Sequence, residues 1–247
     1  MLALLTNDDG VSARGLLALK KELSKIGQVW VVAPDREQSA ISHSLTLQHP
    51  LRINRVADRF YSVDGTPTDA VMLAVHAILK RKPDILISGI NHGPNMGDDV
   101  SYSGTVAAAM EGTILNIPSI AVSNVNWNAK HFGAAAKFVR KLARFVLKSG
   151  LPRYTFLNVN VPDRSAAITR FKITRLGKRV YSDVVIEKID PRGKNYYWIG
   201  EQTPIWEKKA DDTDFAAIQK GFVSITPLHL DMTDYGAMER IKRWKIL

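Results

Sequence analysis

The chain opens Leu2-Ala3-Leu4-Leu5-Thr6-Asn7-Asp8-Asp9-Gly10, and how this stretch is read decides the fold. Leu2 to Leu5 form an apolar run of strand length. Two adjacent carboxylates stand where the run stops. Neighbouring acids repel each other unless something cationic lies between them, and Gly10 lets the backbone turn sharply after them. In an open α/β sheet, ligands bind at the carboxyl ends of the strands. Acid pairs at such places hold hard cations such as Mg²⁺ or Mn²⁺ through oxygen. Asn7, Asp8 and Asp9 are also good turn and cap residues for a following helix. On spacing alone, metal site and helix cap both stand.

Working outward, residues 1–160 alternate strand-like and helix-like segments. The apolar runs are Leu2–Leu5, Val29–Ala33, Ile85–Ser88, Ile120–Val122 and Phe156–Val161. Between the first two, Leu16, Leu19, Leu23 and Ile26 share a helical face, and Gly27 suits a left-handed residue ending that helix. Thr66-Pro67 reads as an N-cap followed by Pro at the first helical position, opening a helix that runs to Leu79. Gly104 to Leu115, with Ala107, Ala108, Ala109 and Met110, predicts a helix packed closely on a sheet. This order implies an α/β fold: a Rossmann-like, three-layer α/β/α body with a mostly parallel sheet. We assign residues 1–162 to that catalytic core.

The pattern changes after Pro162. Ile168–Thr174 alternates like a half-exposed strand. Val180–Ile189 and Tyr196–Ile199 flank Asp190-Pro191-Arg192-Gly193-Lys194, which predicts a long hairpin over about 180–199. Such a ribbon is marginal alone and needs a body or another subunit to pack on. Asp214–Gln219 reads as a helix, Phe222–Pro227 as a strand, and 237–247 as a basic, apolar terminal helix. Residues 163–247 are thus a C-terminal extension containing the hairpin, a strand that completes the sheet and an oligomerisation helix.

The chain carries 34 Lys and Arg against 24 Asp and Glu, a formal charge of +10. This excess favours polyanionic partners. Part of it is a solvated helix face, because Lys137, Arg140, Lys141, Arg144 and Lys148 alternate with Phe138, Val139, Leu142, Phe145 and Val146. No aromatic-rich recognition strand or zinc-finger spacing accompanies the charge, so nucleic acid is not expected as a specific partner. No 18-residue apolar run is present, and residues 1–10 lack the pattern of a signal peptide, so no membrane partner is expected. With no cysteine in the chain, thiolate metal sites and cysteine nucleophiles are excluded, and a reducing, cytoplasmic setting fits.

Further segments reach the same sheet edge as Asp8 and Asp9. After the second strand, Ser39 offers a hydroxyl acceptable to Mg²⁺ or Mn²⁺, or simply a turn-forming serine. After Ile85–Ser88 come Gly89, Gly93 and Gly97 with Asn91 and Asn95 between them. Their carboxamides suit metal or phosphate oxygen, although the spacing matches neither the dinucleotide nor the Walker pattern. Ser103-Gly104-Thr105 sits at a helix start, where free N–H groups and the dipole favour an anion and where an ordinary cap is also expected. Asp64 and Asp69 read as turn and cap. His43 and His92 are candidate proton donors. A metal set and a phosphate cradle on one edge point to phosphate ester hydrolysis.

The segments Thr6–Gly10, Val32–Arg36, Ser39, Ser44–Thr46, Gly65–Asp69, Ser88–Gly97, Tyr102–Gly112, Asn158–Pro162, Asp190–Gly193, Tyr197–Gly200 and Val223–Leu228 together resemble the SurE family, the stationary-phase survival proteins. The resemblance covers nearly the whole chain. It implies a metal-dependent phosphatase, a 5′-nucleotidase acting on nucleoside 5′- and 3′-monophosphates and also on short polyphosphate. It implies one divalent ion per subunit, Mg²⁺ or Mn²⁺, on Asp8, Asp9, Ser39 and Asn91, with Asp8 and Asp9 central to catalysis. Asn95, Ser103, Gly104 and Thr105 resemble the phosphate-binding groups. A homodimer or homotetramer exchanging C-terminal segments is implied as well. One departure is Ala40, where many members carry glycine.

Overall fold

The computed structural model describes residues 1–180, 185–199, 205–206 and 210–244. The strands are β1 Leu2–Thr6, β2 Gln28–Pro34, β3 Ile53–Ala57, β4 Phe60–Val63, β5 Ile85–His92, β6 Ser119–Asn124, β7 Thr155–Val161 and β8 Phe171–Ile173. Later come β9 Arg179–Val180, β10 Val185–Ile189, β11 Asn195–Ile199, β12 Ile205–Trp206 and β13 Val223–His229. The helices are α1 Arg14–Leu23, α2 Pro67–Leu73, α3 Gly104–Ile114, α4 Phe132–Ser149, α5 Asp214–Gln219 and α6 Tyr235–Ile241.

Nine strands form one sheet in the order β3-β4-β2-β1-β5-β6-β7-β13-β8. From β4 to β7 every pairing is parallel. The chain lays β1, β2 and β4 toward one edge, then returns across β1 to lay β5, β6 and β7 toward the other. Strand order therefore reverses between β1 and β5, and a crevice opens there at the carboxyl ends.

β1 is buried at all five positions because its side chains feed two layers alternately. Ala3 and Leu5 join Leu16, Leu19 and Leu23 of α1 and Val139, Ala143 and Val146 of α4. Leu4 joins Ala70 and Val71 of α2 with Val106, Ala108 and Ala109 of α3. These are the three layers the alternating pattern predicts. The basic face of α4 is mostly solvated, although Arg140 turns inward to meet buried Glu22 at 2.8 Å. No described helix is long and apolar enough to cross a membrane.

Several expectations need correction. α1 ends at Leu23 with Ser24 as right-handed C-cap, and Gly27 is not left-handed. Gly27 is small for another reason: a Cβ there would stand 2.5 Å from the Met1 carbonyl oxygen. The helix from Pro67 gives way at Ala74 to a π-helical turn, Ala74–Ile78, before reaching Leu79. The antiparallel pair β3–β4 has no counterpart in the sequence reading; all five residues of β3 are exposed, so no hydrophobic pattern marks it. The expected strand Ile168–Thr174 shrinks to β8. The hairpin forms as β10–β11, with residues 181–184 of its predicted span outside the described residues. α6 starts at Tyr235, capped by the Asp234 side chain, two residues before the predicted helix; 245–247 lie outside the described residues.

The α2 cap forms as predicted. Thr66 Oγ1 accepts from Asp69 N (3.1 Å), and Asp69 Oδ2 accepts from Thr66 N (2.9 Å). Asp69 Oδ1 also accepts from Thr46 N (3.0 Å), and Thr66 Oγ1 donates to Ser44 O (2.8 Å). One cap thus fixes both a helix start and the loop that carries Ser39. Asp69→Ala is expected to cost about 2 kcal/mol, the upper end for a lost cap, because the carboxylate's second bond, from Thr46 N, goes with it. The midpoint of urea unfolding measures this, and faster proteolysis within residues 38–46 should accompany it.

Candidate active site

The crevice between β1 and β5 receives the residues that follow each strand. Asp8 is 6% exposed and aims at the start of α3. Its Oδ2 accepts from Thr105 N at 3.0 Å, and its Oδ1 takes a short hydrogen bond from the Thr105 hydroxyl. Ser103 Oγ caps the same helix by accepting from Val106 N at 3.1 Å. A Cβ on Gly104 would stand 2.9 Å from Asp8 Cβ, so glycine there is what lets the helix approach the acid. Among the described residues the Gly104 N–H has no hydrogen-bond partner. Ser103, Gly104 and Thr105 are therefore together as expected, but Ser103 and Thr105 already serve the helix and Asp8.

Asp9 is less deeply set. Its Oδ2 lies 3.3 Å from His92 Nδ1 without hydrogen-bond alignment and is buried without a partner. The His92 ring meets Phe132 edge-on at 4.8 Å. Burial pushes the Asp8 carboxyl up to about 6, with the Asp9 charge adding and the Thr105 bonds opposing. Burial also raises Asp9, with His92 opposing and the Glu37 charge adding. Two carboxyls held above their usual range side by side mark a place that favours added positive charge.

Asn91 Nδ2 donates to Gly93 O at 3.0 Å, which fixes the carboxamide and leaves its carbonyl oxygen available. Asn95 sits in a buried amide network. Its side chain donates to Ser123 Oγ (2.7 Å), its N–H to Asn160 Oδ1 (2.9 Å), and its carbonyl accepts from Asn158 and Asn160 Nδ2 (both 2.9 Å). Asp214 on α5, fully buried, accepts from Gly97 N at 2.8 Å and fixes the far end of that loop. The sequence reading assigned no role to Asn158, Asn160 or Asp214. The two asparagines left a legible trace, since residues two apart in a strand share a face and these interrupt an otherwise apolar run.

Ser39 is brought close through its neighbour, because Gln38 N donates to Asp8 O at 2.8 Å. Its hydroxyl, however, donates to Glu37 Oε1 at 2.7 Å, and the residue is exposed. Ala40 has φ +54°, the left-handed region that suits glycine, the residue the resemblance leads one to expect there. His43 does not reach the acids. Its Nε2 meets buried Glu111 on α3 at 2.8 Å, tying the loop to the helix, so of the two histidines only His92 faces the acid pair. Among the described residues no three His, Cys, Asp or Glu side chains form a ready metal cluster. A cation here would draw on hydroxyl and amide oxygens besides two carboxylates.

A parallel sheet with a buried and a half-buried acid side by side at its switch point, amide oxygens on the next strand and an open helix N-terminus defines a Rossmann-like α/β protein with an oxygen-rich candidate site. The family model described as Survival protein SurE matches residues 3–183. The 5′-nucleotidase SurE of Geotalea uraniireducens is 54% identical over 248 residues, covering all of both chains, and that of Geotalea daltonii 53% over the same span. The crystal structure of the SurE protein from Aquifex aeolicus superposes with a TM-score of 0.87 at 46% identity, covering 98% of each chain. The chain belongs to the SurE family.

The raised Asp8 carboxyl has a defined sign. Its folded value lies above the unfolded one, so its contribution to stability is full at low pH and is lost as pH rises through about 6. In chelator, unfolding free energy should fall by about 1 kcal/mol from this group between pH 5 and 7.5. Urea midpoints at the two pH values measure it, and Asp8→Asn should flatten the difference.

Proposed function

We propose that this member of the SurE family is a metal-dependent phosphomonoesterase that hydrolyses nucleoside 5′-monophosphates, and 3′-monophosphates as well, to nucleoside and phosphate. Short polyphosphate is a further proposed substrate. The single observation that carries the reading is the Asp8–Asp9 pair at the switch point, one acid buried and the other half-buried, with both carboxyls raised.

The residues fit one divalent cation. Asp9 Oδ2 and Asn7 Oδ1 are buried oxygens without hydrogen-bond partners, and the donors of Asp8, Asp9, Ser39 and Asn91 are all hard oxygens, which suits Mg²⁺ or Mn²⁺. Asp8, Asp9, Ser39 and Asn91 would hold it, Ser39 after its hydroxyl leaves Glu37. Such an ion, when bound, supplies charge neutralisation at phosphoryl oxygens and a more acidic water. The chain's own groups do the rest. The Gly104 N–H and the α3 N-terminus receive a phosphate oxygen, with Asn95 alongside and Ser103 and Thr105 shaping the cradle. The amide network behind Asn95 keeps that side chain in place. Thr105 engages both Asp8 oxygens, which suits Asp8 to ligation rather than to attack on phosphorus. His92, beside Asp9, is placed to move a proton.

Inorganic phosphate release from a nucleoside monophosphate panel with Mn²⁺, Mg²⁺ or EDTA tests this. Release should require the metal and drop at least about a hundredfold in Asp8→Asn. Folded protein that releases no phosphate with any metal would overturn the reading.

We also propose a homodimer or homotetramer in which the extended hairpin and the terminal helix of the 163–247 extension are exchanged. The β10–β11 ribbon exposes Val185, Ile186, Ile189, Tyr196, Tyr197, Trp198 and Ile199. α6 has no buried residue and leaves Tyr235, Met238 and Ile241 exposed. Apolar surface on that scale marks an interaction site. Deleting residues 180–199 should lower the mass seen by light scattering; an unchanged mass would refute the exchange.

A further inference from the structure

Trp127 lies between β6 and α4, on the same sheet edge as the acid pair, and no step above uses it. Its loop is pinned. Asn124 Oδ1 accepts from Asn126 N (3.1 Å), Asn126 Oδ1 accepts from Asn128 N (3.0 Å), and both asparagine amides donate to Asp163, at 3.1 and 3.0 Å. The indole rests on Gly93. A Cβ there would stand 2.5 Å from Cζ3 and 2.6 Å from Cδ2 of the ring, with Cε3 closer still. Near-equal distances to three consecutive ring carbons put that position over the face of the ring, not at its edge. Only glycine, here at φ +96°, permits this seat. One face is thus supported by backbone, yet 58% of the residue remains exposed. Among the described residues no aromatic ring or cation stacks on it.

Single exposed apolar side chains are ordinary. A rigid indole with one face backed and the other open is a stacking surface. It sits against residue 93, one position after His92, which faces Asp9 at 3.3 Å, and two positions from both Asn91 and Asn95. A ligand holding its phosphate at the acid pair would carry any attached planar group toward this ring.

We propose that Trp127 is the nucleobase platform of the site and sets its preference for nucleotides over phosphate esters that lack a base. The proposal rests on the phosphate-ester reading above. Stacking on an aromatic side chain is tolerant of base identity, because every base has a π-face. Purines, with more ring area, should gain most.

The test compares wild type, Trp127→Ala and Trp127→Phe on AMP and on ribose 5-phosphate. The kcat/KM ratio of AMP over ribose 5-phosphate should fall roughly tenfold or more in Trp127→Ala, the range expected for one lost stacked base, mainly through KM. Trp127→Phe should recover most of it. Calorimetric binding of AMP and of ribose 5-phosphate, made on the same three proteins, should show the same selective loss. If wild type hydrolyses neither ester, the function reading fails while the binding comparison still decides the platform. Equal losses on both ligands, no change on either, or an altered oligomer mass with the ratio intact would overturn it.

Discussion

Asp8 is held away from water with the start of α3 brought against it and half-buried Asp9 beside it, and most of the remaining structure answers that constraint. A buried carboxylate is costly unless donors meet it. Here Thr105 supplies an N–H and a hydroxyl to one acid, and His92 faces the other. Gly104 allows the helix to come that close, and the all-alanine stretch behind it lets α3 lie near the sheet. The same contact leaves the first N–H of the helix open at the crevice. Folding thus bears a cost at this pair of side chains, and the donors on α3 offset it at Asp8.

Much of this was legible in the chain. Apolar runs marked every parallel strand of the body except β4, since strands fed from both faces have no polar face to confuse the pattern. The acid pair, Asn91, Asn95 and the Ser103–Thr105 start were legible because turn and cap chemistry is local. What escaped notice is what depends on distant partners. β3 packs on β4 with every residue exposed, so nothing hydrophobic announces it. Asn158, Asn160 and Asp214 act on backbone atoms 63, 65 and 117 residues away. Gly27 misled because a helix end and a close approach ask for the same residue, and only the approach to Met1 explains it.

The loop from β2 to β3 shows how a mobile-looking, polar segment becomes a fixed part of the site. Ser42, His43, Ser44 and Thr46 bond in turn to Tyr102, Glu111, Thr66 and Asp69. Two helices therefore place Ser39, while Ala40 accepts a left-handed backbone at its side. Backbone conformation, more than side-chain identity, is what alanine at position 40 touches.

The asparagines that clamp Asn95 have a second set of neighbours. In the register of the sheet, Asn158 pairs with Thr226 and Asn160 with Ser224 of β13, and Asp214 of α5 holds Gly97. The last quarter of the chain is thus built into the rear wall of the crevice. Residues 1–162 alone hold the acids and the two clamping asparagines, but they lack the Asp214 bond to Gly97 and the β13 partners that back Asn158 and Asn160.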